Sequence, residues 1–318
     1  MLDKNTTTDI DNKRFQSEIE AVQPQKETFF TIGVFDGVHV GHQTLISRMT
    51  ALAEENDCQS GVITFHPNPV AVLRPGASIK YLTDIKERVR LIHSLDVDIV
   101  VPVIFTLELS QVRARDFVAL LKEKLKIKGL VIGFDFAMGH NREGTPEFLT
   151  NLGHEMGFSV DIVDHKDVAG TRVSSTAIRA AIAEGDLSTA NKFLGRYYTT
   201  TGIVVYGDGR GQALGFPTAN MSISDELAIP ADGIYATRVR HNDKLYSAAT
   251  YIGTSPTFEG KERTVEAYLL DFEGTIYGEE IVVEWIDRVR EDKAFGTPAE
   301  LQAQMEKDVV KAREILGV

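Results

Sequence analysis

The sequence predicts two domains in series: an N-terminal doubly wound parallel α/β domain, then a C-terminal small antiparallel β-barrel with a terminal helix. Three observations carry this expectation. The 318 residues exceed what one hydrophobic core usually serves. Up to about residue 190, apolar runs of roughly five residues alternate with amphipathic stretches of about twelve, the pattern of parallel strands and covering helices. After Gly195 the helical period disappears for about ninety residues, and short β-branched runs separated by Gly, Pro, Asn or Asp take over.

The elements follow in order. Residues 1–25 are polar and mixed in charge, with no apolar stretch, and read as a flexible leader. ETFFTIGVFDG is a buried strand ending in a Gly-flanked turn. Residues 42–54 carry Leu45, Ile46, Met49, Leu52 and Ala53 at helical spacing. SGVITF is a second strand, stopped by Pro67 and Pro69. Residues 83–94 form a helix with Thr83 as N-cap, and VDIVVPV follows as a strand. Helices over 112–125 and 145–156 alternate with strands over 129–133 and 158–163. Residues 175–194 are helical, interrupted near Gly185. The expected domains are 26–187 and 188–318. In the second, TTGIVVYG, GIYATRVRHN, KLYSAATYIG, TVEAYLLDF and EIVVEWIDRV are strands, with HND and FEGTIYGE as hairpin connections. Residues 297–316 close the chain as an amphipathic helix, with Pro298 early and Leu301, Met305, Val309 and Ile315 along one face.

Composition narrows the function classes. An apolar fraction of 43% and a charged fraction of 25% are ordinary for a globular chain. The net charge of -12 is shared about equally on either side of Ala190, so neither part offers the basic surface that a nucleic-acid backbone favours. Cys58 is the only cysteine, which excludes an internal disulfide and a Cys-based zinc cluster and fits a reducing cytoplasm. No apolar run approaches the ~20 residues that span a bilayer. Small-molecule partners are expected, without nucleic acid or membrane; self-association is allowed by the sequence.

GVFDGVHVGH, Gly33 to His42, is the first chemical signal. It stands at the carboxyl end of the first strand and runs into a helix, where unpaired amides favour an anion. Gly33, Phe35, Asp36, Gly37 and Gly41 form the expected phosphate-binding turn. His39 and His42, three apart, can face one phosphate and donate to it as its charge changes. A single histidine would more often be a structural one, but a pair after a strand and a Gly turn shifts the balance. Neither GxGxxG nor GKS/T is present there. GFDFAMGHNREG suggests a ligand-facing loop in which Asp135 either bonds a ribose or base, or caps the loop. TRVSSTAIR offers Ser174, Ser175 and Thr176 as a helix cap with Arg179 one turn in, a cradle for phosphates. The His element resembles that of the HxGH nucleotidyltransferases, which implies an α/β domain transferring a nucleotidyl group from ATP.

TGIVVYGDGRGQALGFPTANM is the second signal. Gly209, Gly211 and Gly215 belong to a mobile loop whose amides suit phosphates, and Pro217 leads into Thr218 and Asn220. On an extended segment these two face one side and offer hard oxygens to magnesium. Glu266, an acid within an apolar β segment, is the candidate base; an outward-facing strand residue is its plainer reading.

GVFDGVHVGH, GFDFAMGHNREG, VSSTAIR, GRGQALGFPTAN, YIGTSPTF and VEAYLLDF together resemble, in order, the bacterial bifunctional riboflavin kinase/FAD synthetases. The resemblance covers nearly everything after the leader. It implies an adenylyltransferase α/β domain and a riboflavin kinase barrel, with ATP, riboflavin and FMN as substrates and Mg2+ as cofactor. It implies metal and phosphate roles for Thr218 and Asn220, a catalytic base in Glu266, and adenylyl-transfer roles for His39, His42, Ser174, Ser175, Thr176 and Arg179. Two stretches depart from the family pattern. TFHPNP stands where TFDPHP is common, and Ala137 and Met138 stand where a basic residue and Phe are common. These departures motivate a rival reading as a riboflavin kinase alone. A flavin-binding regulator without turnover is a second rival. Phe136, Phe258, Phe272 and Phe295 are candidates for the flavin ring, with core packing as the commoner role.

Overall fold

The computed structural model describes residues 14–318, apart from 75, 169, 208 and 258–259. By contacts the chain divides into two units, one running to Ile79 and then over Asp84–Val173, the other made of Lys80–Thr83 and Ser174–Val318.

The first unit starts with helix α1 (residues 14–20). It continues with β1 (Thr28–Gly33), α2 (Val40–Glu55), β2 (Gln59–His66), α3 (Pro69–Leu73), α4 (Ile85–His93), β3 (Ile99–Ile104), α5 (Ala114–Leu125), β4 (Ile127–Gly133), α6 (Pro146–Met156) and β5 (Ser159–Val163). A two-stranded hairpin, β6 (Asp167–Val168) and β7 (Thr171–Arg172), ends it. The five strands β1 to β5 form a parallel sheet in the order β3-β2-β1-β4-β5. Chain order reverses between β1 and β4, so the carboxyl ends of those strands flank the crevice where open α/β sheets take ligands. One face is covered by α1, α5 and α6 through Phe15, Phe117, Leu121 and Leu149, the other by α2 and α4 through Ile46, Met49, Leu91 and Ile92. This is the doubly wound arrangement that the alternating pattern predicts.

Two expectations are corrected in this unit. The leader is not loose throughout: Phe15 and Ile19 are buried, and the Phe15 ring stacks on Phe117 with centroids 5.0 Å apart. Phe15, Ile19 and Val22 recur at helical spacing, so α1 buries an apolar edge although its composition is polar. Residues 1–13 lie outside the described part. The N-cap of α4 is Asp84 rather than Thr83: the helix begins at Ile85, and the Asp84 carboxylate accepts from the Glu87 amide at 2.7 Å.

The second unit opens with α7 (Ser175–Glu184) and α8 (Leu187–Leu194), separated by Gly185. The barrel follows: β8 (Tyr198–Val205), a single turn α9 (Arg210–Ala213), β9 (Ala219–Ile223), β10 (Gly233–His241), β11 (Lys244–Thr257), β12 (Gly260–Leu269) and β13 (Glu280–Glu291). Helix α10 (Pro298–Leu316) ends the chain. The strands close in the order β10-β11-β12-β9-β8-β13, each pairing antiparallel to its neighbours. Five of the six strands are those expected; β9, in which Ala219, Met221 and Ile223 alternate with Asn220 and Ser222, adds the sixth. Trp285 is fully buried inside and its Nε1 donates to Thr200 Oγ1 at 3.0 Å. The expected boundary at 187/188 separates α7 from α8, whereas contacts put both with the barrel. Asn191 Nδ2 donates to the Trp285 carbonyl at 3.0 Å, and Arg288 Nη1 to the Glu184 carbonyl at 3.4 Å.

Candidate active sites

In the first unit the chemistry stands at the carboxyl end of β1. The turn into α2 is strained, with φ of 52° at Phe35 and 41° at Val38, and Gly37 at 81° supplies the backbone freedom between them. His39 is the N-cap of α2, and its Nδ1 accepts from the His42 amide at 3.2 Å. That bond requires an unprotonated Nδ1, which leaves His39 Nε2 as the N–H donor in the neutral ring. The rings of His39 and His42 stack at 3.5 Å between centroids and 13° between planes. His42 is half-buried, but its Nδ1 is shielded and has no hydrogen-bond partner. Burial, then the neighbouring His39 and Arg88, pushes the His42 imidazole well below the ordinary histidine range. His42, stacked on His39, is therefore held neutral near neutral pH.

The remaining candidates for the first reaction, some on β1 and its turn and some on α7 of the second unit, divide. The side chains of Phe35 and Asp36 are taken up by the protein: both are buried, with Phe35 edge-on to His42 and Asp36 facing Arg88. Gly33 and Gly41 lie against the rings of Phe35 and His39 respectively. Asp135 is exposed and ion-paired with Arg172, whose guanidinium also sits 5.1 Å from the Phe134 ring centroid. The loop after β4 is only partly free, since Phe136 and Met138 pack against the core and Met138 pairs with Gly144. Asn68, at the other departure, accepts from the Val70 amide at 2.9 Å and so caps α3. Ser174 caps α7 by accepting from the Ala177 amide at 3.2 Å, and Arg179 Nη2 donates to Thr176 Oγ1 at 3.4 Å. The first turn of α7, with Ser175, carries no acidic residue that would oppose an anion.

In the second unit the site lies on the outer face of the barrel. Val265 and Ala267 are buried inside, so alternation sends Glu266 outward. There it is covered, inside a cavity of about 580 Å³. Thr218 Oγ1 donates to Glu266 Oε2 at 3.1 Å. Asn220 on β9 and Tyr251 on β11 are the register partners of Glu266 on either side. Gly207 passes so close over Asn220 that an added Cβ would overlap its amide. Gly209 and Gly211 line the same cavity; Gly215 and Pro217 are not among its lining residues.

The opposite wall comes from Arg290, Asp292 and Phe295 with Leu301 and Met305 of α10. Tyr251, Arg290 and Asp292 are the members that sequence reading missed. The signal for Tyr251 is its place opposite Glu266 in paired strands. Its phenol, which bonds to Asp292, is pushed up to about 12 by burial and by the Asp292 and Glu266 carboxylates. Among the four ring candidates, Phe295 lines the cavity, Phe136 packs in the first core, and Phe272 stands edge-on to Tyr246; Phe258 lies outside the described residues.

Among the described residues no group of three or more His, Cys, Asp and Glu is arranged to hold a metal. Thr218 and Asn220 nevertheless supply the neutral hard oxygens that magnesium accepts beside phosphate oxygens and water. No helix among the described residues is long and apolar enough to cross a membrane.

A histidine pair at the edge of a parallel sheet, and in the barrel a covered acid beside two hard-oxygen side chains, define a two-domain enzyme of phosphate chemistry. Family comparisons give that class its members. The family model described as FAD synthetase matches residues 21–177, and that described as riboflavin kinase matches residues 194–316. The bifunctional riboflavin kinase/FMN adenylyltransferase of Listeria monocytogenes is 38% identical over 87% of this chain and 88% of its own. That of Escherichia coli K12 is 34% identical over 93% and 95%. A crystal structure described as a macrolide-efflux protein from Streptococcus pneumoniae superposes with a TM-score of 0.87 at 30% identity, covering 94% of this chain and 97% of that one. The chain belongs to the bifunctional riboflavin kinase/FMN adenylyltransferase family.

Proposed function

We propose that the two reactions of this enzyme are divided between the two sites: the barrel phosphorylates riboflavin to FMN, and the α/β domain adenylylates FMN to FAD. The observation that carries the division is the covered constellation of Glu266, Thr218 and Asn220, complete within the second unit.

In the kinase step the ribityl 5′-hydroxyl oxygen attacks the γ-phosphorus of ATP, its proton passes to Glu266, and ADP leaves with the former bridging oxygen. Thr218 steers the Glu266 carboxylate by donating to Oε2. Thr218 and Asn220 would hold magnesium, which would supply positive charge against the phosphates. The glycines at 207, 209 and 211 let backbone approach the phosphates, and the wall at Phe295 gives the flavin an apolar surface.

In the second step an FMN phosphate oxygen attacks the α-phosphorus of another ATP, the α–β bridge breaks, and pyrophosphate departs. No proton must move and no covalent enzyme intermediate forms. His39 and His42 donate to the phosphoryl oxygens as charge shifts. The Gly33–Gly41 turn is assigned to the nucleotide through its backbone; Ser174, Ser175, Thr176 and Arg179 keep the phosphate role that the family resemblance implies. Asp135, paired with Arg172, is left at most an indirect part. A cytoplasmic location accords with the ATP-dependent chemistry and the single cysteine.

The test is purified protein with Mg-ATP and either riboflavin or FMN, products separated by chromatography. Glu266→Gln or Asn220→Ala should slow FMN formation by roughly 10²–10⁴-fold and leave FMN-to-FAD conversion intact. His39→Ala with His42→Ala should do the reverse. One set of changes abolishing both reactions in folded protein would refute the division.

A further inference from the structure

Behind the histidine turn lies a side chain to which neither step assigns a role. Arg88 of α4 is fully buried. Its Nη1 donates to the Phe65 carbonyl at 3.0 Å and to Thr64 Oγ1 at 3.4 Å, both at the end of β2. Its Nη2 stands 3.9 Å from Oδ1 of Asp36, itself buried, in the turn after β1. Thr64 Oγ1 in turn donates to the Val34 carbonyl at 2.8 Å. The guanidinium thus joins two adjacent strand ends at the edge where the histidines stand.

The turn needs such a tie. Phe35 and Val38 hold positive φ, and a β-branched residue there is a true outlier. Such conformations persist only where the surroundings over-determine them. Val38 is the residue immediately before His39, and Gln43 Nε2 of α2 clamps its carbonyl at 2.9 Å. Release of Asp36 would let the turn relax and carry His39, the cap of α2, away from its stacking partner.

We propose that Arg88 is a positioning residue for adenylyl transfer: it ties the Asp36 turn to the end of β2 and so holds the His39–His42 pair in place for the nucleotide. This rests on the reading of the two histidines as the adenylyl-transfer pair. The titratable and charged groups around His42 are His39 stacked on it, Arg88 from α4 with its partner Asp36, and Lys166, whose Cβ lies beside Gly41. Arg88 also opposes protonation of His42, after burial and His39.

Arg88→Lys keeps the charge and loses the fork; Arg88→Met loses both. In the full-length protein three quantities are measured: kcat and KM for FMN-to-FAD conversion, the imidazole titration of His42 by NMR, and FMN formation from riboflavin. Both variants should lower kcat for FAD formation by about 100-fold, the scale of an ångström's misplacement, with FMN formation unchanged. Arg88→Met should raise the His42 titration, and Arg88→Lys should leave it nearly in place. Should Arg88→Met not fold, Arg88→Lys decides by its kcat at an unchanged melting transition. Wild-type FAD formation by Arg88→Lys, or an unmoved His42 titration in folded Arg88→Met, overturns the proposal. If His39→Ala with His42→Ala still makes FAD, the reading of the pair fails instead, and the His42 titration still reports on Arg88.

Discussion

At His42 a shielded position and a proposed role in adenylyl transfer fall on one ring. Its shielded Nδ1 has no partner, and burial holds the imidazole well below the usual histidine range. In the unfolded chain the same ring titrates near about 6.5. As pH falls through that value the unfolded chain takes the proton and the folded one does not, so stability of the first domain must fall with it. The loss continues until pH reaches the folded-state value and then levels. His42→Asn should flatten this dependence between about pH 7 and pH 5, read as the denaturant midpoint at each pH. An unaltered slope would assign the dependence to another group. Single residues differ in how well the sequence announces them. The histidine pair shows itself by spacing after a strand and a glycine turn. Arg88, in ERVRLIH, looks like an ordinary polar member of an amphipathic helix, because burial of a charge depends on neighbours distant in sequence.

Among the elements, α10 shows how one apolar stripe serves two surfaces. Leu301 and Met305 line the barrel cavity, whereas Ala312, Ile315 and Leu316 pack against the barrel at Ala236. Between them Asp308 is buried, accepting from Arg290 Nε at 2.9 Å, from Arg290 Nη2 at 2.8 Å and from Gln304 Nε2 at 2.9 Å. Arg290 lines the cavity, so this pair fixes the wall to the helix. Asp308→Ala leaves the guanidinium without its partner and should cost about 3 kcal/mol, the lower end for a buried pair because Arg290 is partly exposed. The check is unfolding followed by Trp285 fluorescence, together with FMN kinetics in which KM for riboflavin rises more than kcat falls. Adding Arg290→Met should recover part of the stability. Of the face read from the helical period, Leu301, Met305 and Ile315 take part, whereas the buried Ala312 and Leu316 were not read. Nor was Asp308, since an acid directly after Lys307 reads as solvent-facing unless its partner strand is known.

For the whole molecule, the alternation of periods was enough to set out a parallel sheet followed by a barrel, because each strand's burial pattern is local. What the sequence left out depended on contacts across the chain. Helices α7 and α8 look continuous with the α/β pattern, yet their bonds at Glu184 and Asn191 join the barrel. Helix α1 was hidden by its polar composition, although Phe15, Ile19 and Val22 keep the spacing of a packed face. Each unit therefore has its own core, and the one tryptophan, Trp285, reports on only the second. Phe15→Ala removes a buried ring stacked on Phe117 and should destabilise the first unit by about 3–5 kcal/mol. On heating, the variant should lose FMN-to-FAD conversion at a lower temperature than the wild type. The Trp285 fluorescence transition and riboflavin phosphorylation should keep their midpoints. If fluorescence and both activities shifted together, the chain would unfold as one cooperative body and the assignment of separate cores would fail. If none shifted, the ring of Phe15 would contribute nothing, and the N-terminal segment would behave as the leader that its composition suggests.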